Sequence, residues 1–243
     1  MEAARQIRDA VAQVASLREA VRSDPGLLDA LAQVKRTQAR RFGATYADLP
    51  AGPSANAARF FLEELYSDKD YAERDAQFAR IAGAIERFFP AQVVQTAVTL
   101  ARLHALTEDL DQSMARAWLG TSGTRAQRYV AAWRAVGRRT ERERQLSVVL
   151  GIGDEMTQLT RKPGLRTLLR MMRAPATAAG LDSLQRFLEQ GFDTFAAMAR
   201  TAGGAQQFLA TIAARETAWI AALFDADLVA CETKLGQALG EAP

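Results

Sequence analysis

The chain predicts an all-α fold, a multi-helix bundle of about eight to ten helices, and three observations carry that expectation. Apolar residues recur at threes and fours through nearly every stretch. The period-2 alternation of a half-buried strand is absent. Of the seven prolines, six fall at expected helix boundaries or loops and the seventh ends the chain.

The elements follow in order. Ile7, Val11, Val14, Leu17 and Val21 give an amphipathic first helix. Asp24-Pro25-Gly26 breaks it and starts the next, with Asp24 as N-cap and Pro25 tolerated at the first helical position. Leu27, Leu31, Val34 and Phe42 continue the apolar face, so residues 2–42 read as a helical hairpin. Residues 43–53 form the first loop, Ser54 caps a helix, and Pro90 opens a long helix ending near Leu119. Gly120 to Thr124 (GTSGT) is the clearest break. It allows either one domain over 1–243 or a division into 1–119 and 125–243. Helices are expected beyond it at 125–138, 140–160, 163–174, 182–201 and 204–239, the last interrupted near Asp225-Ala226-Asp227.

Composition bounds the function. Hydrophobic residues make up 49% and charged residues 24%, ordinary values for a globular protein. Cys231 is the only cysteine, which excludes an intrachain disulfide. The first helix lacks the apolar core of a signal peptide and no apolar run spans a bilayer, so a cytoplasmic location is expected. Four of the 31 basic residues are lysines and the other 27 are arginines. They concentrate in 121–175, where 12 basic residues face 4 acidic ones.

The stretch from Arg59 to Pro90 (RFFLEELYSDKDYAERDAQFARIAGAIERFFP) holds two aromatic-rich helical patterns across a charged turn. Ala57, Phe61, Leu62 and Leu65 form one core stripe, and Phe60 falls outside it beside Glu63 and Glu64. In the second pattern Tyr71, Phe78, Ile81, Ile85 and Phe89 line one face, and Ala72, Ala76, Ala79 and Gly83 line another that lets a helix approach closely. Arg74 and Asp75 are expected to form a partly buried ion pair. Phe60, Phe61, Phe78 and Phe89 read as a helical-hairpin core before they read as a binding groove.

"FFLEELY", "ERDAQFARI" and "FFP" in this stretch resemble the signature of the FFLEELY-motif family of proteobacterial proteins. The resemblance runs from about Ala58 to the "LARLHALTEDLD" stretch ending at Asp111. That family is named for its sequence, so the resemblance implies a bacterial protein and brings no activity with it.

His104 is the only histidine, and Thr107, Glu108 and Asp111 follow at i+3, i+4 and i+7 on the same side of the helix. The cluster could make a general base with a carboxylate partner, or a small-ligand or metal sensor. One His and two carboxylates leave a metal shell incomplete, and no Glu-x-x-His pair completes a di-iron site, so neither metal nor cofactor is expected. The competing reading is a buried His satisfied by Glu108 or by a facing helix.

In the basic segment, Arg134, Arg138 and Arg142 repeat at i, i+4 and i+8, and Arg166, Arg170 and Arg173 share a face opposite Leu165, Leu168, Leu169 and Met172. These six are the candidate anion-binding residues, for nucleic acid, anionic lipid or an acidic partner, against the plainer reading of a solvated face. The sequence favours a non-catalytic binding protein over an enzyme. Its protein partner would dock near Phe60, Glu63, Glu64 and Arg74 or on the Arg-rich face. The alternatives are an enzyme or ligand sensor at His104, Glu108 and Asp111, and a non-specific nucleic-acid binder through 125–173.

Overall fold

The computed structural model describes residues 2–64, 71–201 and 203–241. Leu65 and the charged turn at 67–70 lie outside the described residues. All regular structure among the described residues is α-helix, in twelve segments rather than eight to ten. The hairpin is α1 (Glu2–Arg22) and α2 (Pro25–Thr45), with the Asp24 carboxylate accepting from the Leu27 amide. Next come α3 (Pro53–Glu64), α4 (Ala72–Phe88) and α5 (Ala91–Leu119). Ser54 sits inside the first turn of α3 rather than before it, because the proline at 53 already fits the first helical position.

α6 (Arg125–Val136) starts on a capping box between Thr124 and Gln127 and ends on Gly137, whose φ of 62° suits glycine. α7 (Arg139–Thr160) follows directly. The single helix expected over 163–174 is two short ones, α8 (Leu165–Met171) and α9 (Arg173–Ala178). Pro175 explains the division: its ring and missing N–H cannot continue a helix running from Leu165. α10 (Asp182–Ala199), α11 (Gly204–Asp225) and α12 (Leu228–Leu239) complete the chain, with Asp227 capping α12 through the Ala230 amide.

Three apolar cores hold these helices together. The first centres on Trp118, Tyr129, Trp133, Leu223 and Leu235. In the second, Phe42, Phe61, Phe195, Phe208 and Ile212 join α2, α3, α10 and α11. The third packs Ile7, Val14, Ala82, Val98 and Ala101 where α1 meets α4 and α5. Twenty-nine residues make α5 roughly 43 Å long, and it packs against α1, α2, α4, α6 and α7. Its reach explains why polar residues along it meet partners from several helices. Close approach also fixes α7 on α11: a Cβ at Gly153 would fall 2.5 Å from Leu209 Cδ2.

Around 60–90 the place of Phe60 off the core stripe is a second packed surface, one of the two arrangements its position allows, and the expected Arg74–Asp75 pair is absent. Phe60 is 7% exposed and stacks on Phe187 of α10 at 6.0 Å, so α3 is buried on two sides. Arg74 and Asp75 do not pair with each other; adjacent helical side chains diverge, and each finds a separate partner. Gly83 lies next to the Arg8 side chain and the Ala79 carbonyl accepts from Arg8 Nε, so part of the small-residue face serves α1.

Candidate ligand cavity

Where the three cores meet they leave a cavity of about 200 Å³. Its apolar wall includes Phe61, Phe78, Leu100, Leu146, Val149, Phe187 and Ile212. Its polar wall includes Lys35, Gln38, Arg41, Glu64, Arg74, Asp75, His104, Thr107, Glu108, Asp111, Trp133, Arg142, Gln145 and Glu216. Helices α1 to α7, α10 and α11 all contribute.

One end is an ionic network. Arg18 on α1 bonds Asp75 at 2.8 Å and Glu108 at 3.0 Å. Lys35 on α2 donates to both oxygens of Glu108 at 3.1 Å. His104 Nε2 lies 2.9 Å from Asp75 Oδ2 and 3.4 Å from Arg18 Nη2. The histidine partner is thus a carboxylate of a facing helix. Burial pushes the Asp75 carboxyl up, but the hydrogen bond and charge of His104 and the charges of Arg18 and Arg74 outweigh it, holding the group below its usual range. Glu108 follows the same pattern, burial opposed by Lys35 and Arg18 with the cations prevailing.

These depressed carboxylates make stability depend on acid. Their contribution is complete above the unfolded values near about pH 4 and is lost as pH falls through the lower folded values. Urea midpoints measured down a pH series should therefore drop below about pH 4. A flat profile across that window would contradict the network.

Further along α5 the environment changes. Asp111 is buried and accepts from Gln38 Nε2 at 2.9 Å; burial dominates and raises its carboxyl above the usual range. Thr107 accepts from Gln145 Nε2 at 2.8 Å. Arg41 forms a two-pronged pair with Glu216 at 2.9 and 2.8 Å, and Tyr46 donates to the same carboxylate. Arg74 bonds Glu64 at 3.1 Å and lies over the rings of Tyr71 and Phe187. Arg142 enters from α7 with its guanidinium 4.4 Å from the Trp133 ring centroid.

The residues singled out from sequence therefore separate. His104, Glu108, Asp111, Glu64 and Arg74 come together on the cavity, and Arg142 joins them from the Arg-rich segment. Glu63 is exposed and Phe60 lies within the α3–α10 packing. Arg134 donates to the carbonyls of Leu223 and Ala226 at the end of α11. Arg138 pairs with Asp109 and Glu141, Arg166 with Asp193 and Arg173 with Glu189. Arg170 is exposed. Three of the six, Arg138, Arg166 and Arg173, are thus neutralised by intramolecular carboxylates.

Arg18, Lys35, Gln38, Arg41, Trp133, Gln145 and Glu216 were not among the sequence candidates. A signal for three of them exists: Lys35, Gln38 and Arg41 recur at threes on the face of α2 that carries Leu31, Val34 and Phe42. Polar residues at core-facing positions must find partners, and that marks a polar interior. Among the described residues no cluster of three or more His, Cys, Asp or Glu side chains is arranged to hold a metal ion, and no helix is long and apolar enough to cross a membrane.

Compared with known proteins, residues 17–229 match a family model described as a domain of unknown function (DUF8198). The matched span includes every polar residue of the cavity. No curated protein and no solved structure matches the chain.

Proposed function

The chain belongs to the family described as a domain of unknown function, DUF8198, and we propose that it is a small-molecule binding protein whose ligand seats in the cavity between the three cores. The carrying observation is the cavity itself: about 200 Å³, with aromatic and aliphatic side chains on one wall and ionisable groups on the other. Ligand sites have that mixture, an apolar body with a few placed polar groups. An engineered apolar cavity of about 150 Å³ already admits benzene, so a one-ring or short-chain molecule fits.

The reading takes up the ligand-sensor alternative at His104 in preference to docking on Phe60 or the Arg-rich face. Phe60 is enclosed between two helices, and Arg138, Arg166 and Arg173 are held in internal ion pairs. His104 Nε2 already faces Asp75 and Arg18, which suits a charged wall better than a free base. The resemblance to the FFLEELY-motif family falls inside the matched span and adds a bacterial source to the reading.

Native mass spectrometry of gently purified protein is expected to show a discrete added mass. Val149→Phe, which places a ring against the cavity, is expected to remove that mass while the protein stays folded. A bare polypeptide mass, joined by no thermal stabilisation across a library of ring and short-chain compounds, would retire the cavity as a ligand site.

A further inference from the structure

We propose that α8 is a contact helix for the surface of an anionic phospholipid bilayer, with Leu168, Met171 and Met172 against the lipid and Arg161, Lys162 and Arg170 among its phosphates. This surface is separate from the cavity, which no residue of α8 or α9 lines.

The way α8 is held turns its apolar side outward. It is the one helix among the described residues that has no buried residue. Arg166 pairs with Asp193 at 2.6 Å, Arg173 pairs with Glu189, and the Leu169 carbonyl accepts from Gln185 Nε2 at 2.7 Å. All three partners belong to α10. Positions 166, 169 and 173 share one side of the helical path, so that side is fixed on α10. Leu168 and Met171 fall on the opposite side, 39% and 70% exposed, and Met172 at its edge is also exposed.

Charge identifies what this side meets. From Arg161 to Leu181 the chain has five basic residues and no acidic one. Arg166 and Arg173 are the two held by α10. Arg161, Lys162 and Arg170 are exposed and form no ion pair among the described residues. Lys162 donates to the neutral Gln92 at 2.5 Å. An apolar strip edged by free cations matches a bilayer surface, where anionic headgroups overlie acyl chains. Single-stranded nucleic acid matches it less well, because its bases stack on aromatic rings and 161–181 contains none. Met171 stands out from the surface, so a protein partner would need a groove of its shape, whereas lipid yields around it. α8 is already folded on α10, so contact carries little ordering cost.

The test is cosedimentation of the full-length protein with vesicles. One set is phosphatidylglycerol and phosphatidylcholine in equal parts, the other phosphatidylcholine alone. Binding to the anionic vesicles is expected to be about tenfold or more tighter, since each basic residue near such a surface contributes on the order of fivefold. It should weaken between about 0.1 and 0.5 M salt, as screening shortens the reach of charge. Leu168→Ser with Met171→Ser should remove most of the binding. Arg161→Gln, Lys162→Gln and Arg170→Gln together should bring the anionic vesicles down to the level of phosphatidylcholine. All five positions are exposed, so both variants should melt close to the unaltered protein. Equal or absent binding to the two vesicles overturns the proposal, as does anionic binding that survives both variants. Two other occupants would overturn it as well. One is nucleic acid, bound in place of vesicles and released with the three cations. The other is a second copy of this chain, seen as a dimer that Leu168→Ser with Met171→Ser breaks while vesicles stay unbound.

Discussion

Glu108→Gln is expected to cost about 3–5 kcal/mol, the usual result of removing one partner from a buried charge pair. The glutamate is 5% exposed and serves Lys35 through both oxygens and Arg18 through one. Glutamine preserves the volume, so the loss would report charge rather than packing. Arg18 keeps Asp75 as a second carboxylate, but Lys35 is left without a carboxylate in hydrogen-bond reach among the described residues. In a chain of 243 residues such a loss should lower the melting temperature by roughly 6–20 °C. Lys35→Met in the same chain should restore part of it, because the stranded ammonium is then gone; the coupling is read from a double-mutant cycle. A loss below about 1 kcal/mol, the range of exposed pairs, would mean that water already screens the network.

Phe61→Ala is expected to cost a similar amount, about 3–5 kcal/mol by denaturant unfolding. Phe61 stacks on Phe208 at 5.8 Å and meets Phe60 and Phe195 edge-on at 6.1 and 6.4 Å. It ties α3 to α10 and α11 and also forms part of the cavity wall. Truncation would both break that tie and widen the cavity, with little chance for the surrounding rings to close in. Phe88, 72% exposed at the end of α4, provides the control: Phe88→Ala should stay within about 0.5 kcal/mol. If the two variants proved alike, the aromatic cluster would not be what holds α3 in place.

Much of the fold is legible in the residues because the signals are local. The Asp24 cap, the Thr124 break and the interruption before Leu228 are each decided within a few positions, and the structure has helix boundaries at all three. Pro175 could have divided α8 from α9 by the same reasoning, and weighing it would have corrected the helix count. The candidate site is half legible. Helical spacing puts His104, Glu108 and Asp111 on one side of α5, and all three line the cavity.

What surrounds those three is a matter of long-range packing. His104 meets Asp75, 29 positions away, and Glu108 meets Lys35 and Arg18, 73 and 90 positions away. No periodicity carries such pairings, because they depend on which helices the three cores bring beside α5. Arg134, Arg138 and Arg142 make the same point within one repeat: one caps a helix end, one joins surface carboxylates, and one turns inward onto Trp133. Sequence by itself determined the helical class and most of the breaks, since backbone preference, capping and amphipathic period act over a few residues. Only the tertiary structure decided that a basic segment contributes one buried guanidinium, Arg142, to a cavity, since burial belongs to the assembled interior.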